Sequence, residues 1–316
     1  MPAPTLSDIR AAYARIQPHI HRTPVLTSQA LDALCGAHIY FKCESLQKTG
    51  AFKMRGATNA VLLLSAEQAE RGVATHSSGN HGAALALAAR RRGVRAWVVM
   101  PENAPPIKRD AVAGYGATIR ECAPTLAARE AALEEVVAET GAEFIPPYDD
   151  GRIIAGQGTA ALELMQEVGE LDAVVAPLGG GGLLAGTAIA VTSLMEETAV
   201  VGAEPQGADD AYRSLKAGRI IPMEDPRTIA DGLRSSLGQH TFPILQERVS
   251  AVVTVPESTI ITAMRRLWER MKIVVEPSAA VALGALMEAP ERFAGKRVGV
   301  ILSGGNVDLD HLPWLE

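Results

Sequence analysis

Cysteine is scarce in this chain of 316 residues: Cys35, Cys43 and Cys122 are the whole supply, far apart, odd in number and without CxxC spacing. That excludes a disulfide framework and leaves buried or partly buried free thiols as the expected state. Long apolar runs are missing too. No stretch approaches the roughly 18 uncharged apolar residues of a membrane-spanning helix, and the opening MPAPTLSDIRAAYARI has no basic segment leading into an apolar core. A cytoplasmic protein with no membrane partner is therefore expected. Nor is there a basic stripe, since 30 Lys and Arg stand interleaved with 36 Asp and Glu for a formal charge of -6. Nucleic acid is not an expected partner. Repeats, low-complexity tracts and long linkers are absent as well.

What the chain does have is a 47% hydrophobic content, enough for a substantial core. Short Val- and Ile-rich runs alternate with helical patterns, which predicts an α/β fold of parallel strands joined by crossover helices. The runs are HIYFKC (38–43), GVATH (72–76), RAWVVM (95–100), DAVVAP (172–177), AVVGAE (199–204) and RVGVILS (297–303). Apolar residues recur at helical spacing after His81, from Leu126 and from Ser258. Ser7 is the expected N-cap of an opening helix. Three of the runs end in THSSGNHG, PLGGGGLLAG and ILSGGNV. Ligands bind at the carboxyl ends of strands in open α/β sheets, so one shared cleft is expected.

Within these loops, Gly179, Gly180, Gly181 and Gly182 lie between an apolar strand and a helix-compatible segment. Backbone amides freed of Cβ atoms at a helix N-terminus suit a phosphate, although the same residues also make ordinary turns. Lys53 sits between Phe52 and Met54. A lysine removed from water can form an imine with an aldehyde, whereas most lysines are simply solvated. Ser77, Ser78, Gly79, Asn80 and His81 supply hydroxyls, an amide and a glycine turn able to bond a carboxylate, or alternatively a plain helix cap.

Taken together, KTGAFKMRGATNAV, THSSGNHG, AGQGT, PLGGGGLLAG, EPSAAV and ILSGGNVDL resemble the serine/threonine dehydratase and serine racemase group of fold-type II pyridoxal phosphate enzymes, over almost the whole chain. The resemblance implies a two-domain, tryptophan synthase β-like α/β fold with parallel-rich sheets covered by helices. Residues 1–71 and 149–316 would form the large cofactor-binding domain, and 72–148 a small mobile domain on the substrate side. It implies that Lys53 carries pyridoxal 5'-phosphate as a Schiff base, that Phe52 packs near its ring, that Asn80 bonds the ring hydroxyl and that Gly179 to Gly182 hold the phosphate. Ser303 would face the pyridine nitrogen, where a neutral hydroxyl does not enforce ring protonation and favours direct elimination. Ser77, Ser78, Gly79 and Asn80 would bind the substrate carboxylate, with Ser78 also acting on the face opposite Lys53. Glu204 and Asp210, with the Ala208 carbonyl, match a divalent-metal position for Mg or Ca; by spacing alone they are ordinary loop carboxylates.

The implied activity is loss of water from a small β-hydroxy amino acid of the serine or threonine type, giving a 2-keto acid and ammonia, by a homodimer. Departures from the pattern keep two alternatives open, a 3-hydroxyaspartate dehydratase and a serine racemase with dehydratase side activity. Ala51 replaces the serine of many relatives and is similar to the hydroxyaspartate form, and Arg129 matches a position that can meet a second carboxylate, or is an exposed helix arginine. Tyr148 is the aromatic of dehydratases where racemases carry asparagine. Ala83 stands where nucleotide-responsive racemases have glutamine, so ATP is not expected. The short stretch after the last glycine motif leaves no room for an appended regulatory domain.

Overall fold

In the computed structural model, which describes residues 3–77, 79–104 and 106–315, the apolar runs assemble into two sheets. In chain order the strands are β1 (Val25–Leu26), β2 (His38–Cys43), β3 (Val73–His76), β4 (Ala96–Pro101), β5 (Thr118–Cys122), β6 (Glu143–Phe144), β7 (Ala173–Pro177), β8 (Ala199–Pro205), β9 (Ala251–Val255) and β10 (Arg297–Leu302). One sheet has the order β1-β2-β10-β7-β8-β9 and the other β5-β4-β3-β6. All pairings are parallel except β1 with β2. The six predicted runs match β2, β3, β4, β7, β8 and β10 to within one residue at each end.

Parallel sheets need cover on both faces, and β10 shows how the sequence meets that need. Val298, Val300 and Leu302 join a core with helices Glu257–Met271 and Pro277–Glu288, while Ile301 points into the opposite core with helices Gly151–Val168 and Gly182–Leu194. Both faces being apolar, the run reads as continuous rather than alternating. Cys35 and Cys43 are buried and Cys122 partly so, as free thiols. Among the described residues no helix is long and apolar enough to cross a membrane.

The first helix, Leu6–Ile16, corrects one expectation, because its N-cap is Thr5 and not Ser7. Thr5 Oγ1 accepts from Asp8 N at 3.3 Å while Asp8 Oδ2 accepts from Thr5 N at 2.8 Å. A capping box needs an acceptor three residues on. Thr5 finds Asp8 there, whereas Ser7 would find Arg10, which has none to offer.

Helix Lys53–Leu62 is seated by charge on one side and by glycine on another. Lys42, Glu44, Arg55 and Glu163 have fully buried side chains. Arg55 bonds both oxygens of Glu44 at 2.7 and 2.8 Å, both oxygens of Glu163 at 3.0 and 2.7 Å, and Thr159 Oγ1 at 3.2 Å. Lys42 Nζ adds bonds of 2.6 Å to Glu163 and to Thr23 O. Burial alone would raise the Glu44 carboxyl, but Arg55 beside it prevails and holds it below its ordinary value. The AGQGT segment, in helix Gly151–Val168, supplies the close approach: a Cβ on Gly156 would stand 2.6 Å from Gly56 Cα. On another face of that helix, a Cβ on Gly186 would meet Ile154 O at 2.4 Å.

Removing one carboxylate from the cluster leaves an uncompensated buried charge, which typically costs about 3–5 kcal/mol. Glu163→Gln is expected to lower the urea unfolding midpoint by that equivalent, while Asp225→Asn, in a pair whose side chains are 83% and 76% exposed, leaves it unchanged. Equal midpoints for the two variants would contradict this account.

Candidate active site

Lys53 opens its helix at the point where the preceding loop is zipped to the segment after β10. Gly305 N donates to Gly50 O at 2.9 Å, Ala51 bridges Gly304, and Phe52 N donates to Ser303 O at 2.9 Å. Met54 and Arg55 are buried in the body of the protein, whereas Phe52 and Lys53 stay partly exposed. Lys53 Nζ donates to Pro147 O at 2.6 Å and stands 5.1 Å from the centre of the Phe52 ring. The protein around the amine displaces enough water to push its pKa down to about 8, with the Glu276 carboxylate pulling the other way. A lysine so placed holds a sizeable neutral fraction near physiological pH.

Asn80 comes to the same place from the other sheet. It begins helix Asn80–Arg92, just past the end of β3. Its Nδ2 donates to Glu276 Oε1 at 2.8 Å and Oε2 at 3.2 Å, and its Oδ1 accepts from Asn306 Nδ2 at 2.8 Å. Acceptor and donor on either side fix which way the amide points. Glu276 is 3% exposed, and burial together with nearby Asp231 pushes its pKa up to about 7 against the opposing pull of Asn80 and Lys108. His81 is buried with Nε2 3.1 Å from Ile145 O, and burial takes its pKa down to about 3, so it tethers that segment as a neutral ring.

The four glycines follow β7 and lead into helix Gly182–Leu194, all of them buried. Gly181 has φ 91°, a conformation that L side chains rarely adopt. Among the described residues, no backbone N–H of Gly179, Gly180 or Gly181 donates to a protein acceptor. Buried N–H groups without acceptors are costly, so this cradle fits an anion such as a phosphate. The Tyr148 ring lies against it, 2.6 Å from where a Cβ on Gly180 would stand. Burial raises the Tyr148 phenol to about 12, which keeps it neutral.

Ser303, at the end of β10, is 3% exposed, and its carbonyl carries the Phe52 contact. Ser77 Oγ accepts from Gly79 N at 3.2 Å. Ser78 lies outside the described residues. Arg129 is partly exposed and its Nε donates to Thr125 O at 3.4 Å, and its charge helps burial lower the His76 pKa. Glu204 accepts from Ala211 N and Tyr212 N at 2.8 Å each, while Asp210 Oδ2 is buried without a partner. Burial pushes the two carboxyls up to about 9 and about 7, and Ala208 beside them is 2% exposed. An orphaned oxygen together with a second buried carboxylate fits a hard cation. Among the described residues no group of three or more His, Cys, Asp or Glu is arranged for a metal.

Several residues of the site carried no role in the sequence reading. Glu276 was visible only as part of EPSAAV, yet an acid between apolar Val275 and a helix-starting proline was a signal of a buried N-cap. Lys108 pairs with Asp231 across the cleft and comes within 3.9 Å of a Cβ position on Gly79, and nothing in its local sequence marks it. A cavity of about 330 Å³ lies beside Gly79, Asn80, Lys108 and Asn306, and it stops short of Lys53 and the glycines.

A family model described as pyridoxal-phosphate dependent enzyme matches residues 16–304. The beta-hydroxyaspartate dehydratase of Paracoccus denitrificans is 53% identical over 311 residues, 98% of this chain and 99% of that protein. The L-threo-3-hydroxyaspartate ammonia-lyase of Saccharomyces cerevisiae is 47% identical over 316 residues, 100% of this chain and 97% of that protein. Among solved structures, the serine racemase of Dictyostelium discoideum superposes with a TM-score of 0.93 at 51% identity, covering 96% of this chain and 99% of that one.

In protein stripped of cofactor, competitive labelling with an amine reagent should show Lys53 half-reactive near pH 8 rather than at the ordinary lysine value of 10.5. Because the Glu276 charge favours the protonated amine, Glu276→Gln should move that midpoint lower still. A midpoint near the ordinary lysine value would show that the amine is not enclosed as described.

Proposed function

The chain belongs to the pyridoxal-phosphate dependent enzymes, and from that premise we propose that it removes water from a small β-hydroxy amino acid to give a 2-keto acid and ammonia. The observation that carries this reading is the placement of a depressed-pKa lysine beside a cradle of unpaired N–H groups, linked through Pro147 and Tyr148. Bound there, pyridoxal phosphate supplies an electron-withdrawing ring that acidifies the substrate's α C–H bond.

The chain's own residues supply the rest. Lys53 is the residue to bear the cofactor, with Phe52 beside its ring. The Gly179 to Gly182 loop, with the unpaired N–H groups of its first three glycines, takes its phosphate, and Asn80, oriented by Glu276 and Asn306, meets the ring hydroxyl. Ser303 provides a neutral hydroxyl for the ring nitrogen. Ser77, Ser78, Gly79 and Asn80 would receive the substrate carboxylate, Asn80 opening a helix whose N-terminus favours an anion. Lys53 Nζ, released when the substrate's own amine takes its place, would take the α-proton, and the electron pair left on Cα would form the Cα–Cβ double bond as hydroxide leaves Cβ. The resulting enamine hydrolyses to keto acid and ammonia. Proton return to Cα from Ser78 would give racemisation at the same site.

A serine- or threonine-type substrate is the first reading. A 3-hydroxyaspartate isomer is the second, supported by Ala51 and by the names of the Paracoccus and yeast relatives. Glu204, Asp210 and the Ala208 carbonyl are proposed to hold Mg or Ca, as structural support.

Keto acid is expected from L-serine, L-threonine or one of the 3-hydroxyaspartate diastereomers, and release from none of them would overturn the elimination reading. Lys53→Ala should lower that rate by at least about 100-fold, the lower end of general-base contributions. Chelation should lower Tm of the wild-type protein and Mg restore it, through mass action on the folded state. Asp210→Asn should be insensitive to both, and a chelation response that survives the substitution would place the metal elsewhere.

A further inference from the structure

The Gly179–Gly182 loop can hold an anion only if it presents N–H groups and turns its carbonyls away. A trans peptide carries its C=O and N–H on opposite sides, so whatever grips the Gly180 carbonyl also aims the Gly181 N–H. That grip comes from Thr241, whose side chain is buried and whose Oγ1 donates to Gly180 O at 2.9 Å. The hydroxyl is oriented in turn, because Gly238 N donates to it at 2.9 Å and leaves its single proton for the carbonyl. A longer contact of 3.3 Å to Gly238 O competes less well.

Thr241 is held in place by Asp149. One carboxylate collects three backbone N–H groups, from Gln239 at 2.9 Å, His240 at 2.8 Å and Thr241 at 3.1 Å, and so fixes the start of helix Thr241–Arg248. His240, at the N-cap, makes no side-chain cap of its own. The approach is tight enough that a Cβ on Gly238 would fall 2.1 Å from Asp149. Asp149 follows directly on Tyr148, which lies on Gly180 and Gly182, and on Pro147, which holds the Lys53 amine.

We propose that Asp149 and Thr241 are positioning residues for the phosphate end of the bound cofactor, presetting the Gly180–Gly181 peptide with its N–H toward the phosphate while neither side chain touches the ligand. The inference rests on the reading of Gly179–Gly182 as the phosphate cup. A preset donor spares the ligand the cost of turning the peptide.

The test compares pyridoxal phosphate with pyridoxal, which lacks the phosphate, by equilibrium dialysis against cofactor-free protein. Thr241→Val should weaken pyridoxal phosphate by about tenfold, equivalent to about 1.4 kcal/mol, and leave pyridoxal unchanged. Thr241→Ser, which keeps the hydroxyl, should restore wild-type affinity. If Thr241→Val does not fold, Asp149→Asn carries the test, since it keeps one acceptor oxygen but loses the bond to Gln239 N; about a threefold loss for pyridoxal phosphate alone is expected, in line with one weakened hydrogen bond. Equal weakening of both ligands, or no change for pyridoxal phosphate, would overturn the proposal. Wild-type protein that binds the two ligands equally would instead bring down the phosphate-cup reading.

Discussion

The Arg55 guanidinium is cut off from water, so each of its N–H groups must find an oxygen inside the protein, and each does. The partners come from different parts of the chain: Glu44 follows β2, while Glu163 and Thr159 sit on helix Gly151–Val168, with Lys42 on β2 completing the charge balance. Two cations and two carboxylates cancel, which is the condition under which such a cluster is tolerated in a low-dielectric interior. Its directional bonds fix the rotation of helix Lys53–Leu62 more tightly than apolar contact would. Lys53 is two residues away on the same helix, so the cluster sets where the amine points.

Around that amine the site is built largely from backbone. Pro147 O holds Nζ, the Ser303–Gly305 segment pairs with Gly50 and Phe52, and the glycine loop offers unpaired N–H groups. Backbone anchored at strand ends cannot swing as side chains do, and this keeps the lysine, the cradle and Asn80 in register. At the site, polar side chains cross between the two sheets. Asn80 reaches Glu276, and Lys108 reaches Asp231. Away from the site the seam is apolar, with Met54, Ala57 and Val61 packed in one cluster with Ala84, Leu85 and Ala88 of helix Asn80–Arg92.

How much of this the sequence showed depends on the kind of signal each part leaves. The central strands were legible because burial on both faces makes continuous apolar runs, as in DAVVAP and RVGVILS. The strands that escaped, β1, β5, β6 and β9, are the edges of the two sheets. Edges kept short or polar discourage further pairing, so Val25–Leu26 and Glu143–Phe144 are too brief for any periodicity and TIREC reads as surface, whereas β9, AVVTV, is neither short nor polar. Lys53 and the glycines were legible through motif and strand-end position. Glu276, Asp149 and Thr241 were not, because they act across 196, 90 to 92 and 61 residues of chain. Arg55 carries no local signal of its burial, since its carboxylate partners Glu44 and Glu163 lie 11 and 108 residues away.

The titratable groups around the cleft narrow the chemistry further. Burial raises the Tyr148 phenol to about 12 and the Cys43 thiol likewise to about 12, so neither is an effective base or nucleophile near neutrality. His81, taken down to about 3 and bonded to Ile145 O, stays neutral and structural. Glu276, at about 7, is engaged with both its oxygens on the Asn80 amide. Lys53 alone among these pairs a pKa of about 8 with an amine held by a single backbone carbonyl, a bond that a reacting partner can replace at little cost. The same enclosure that depresses the amine is what brings Glu276 close enough to oppose the shift, so one carboxylate tunes the lysine and orients Asn80 together.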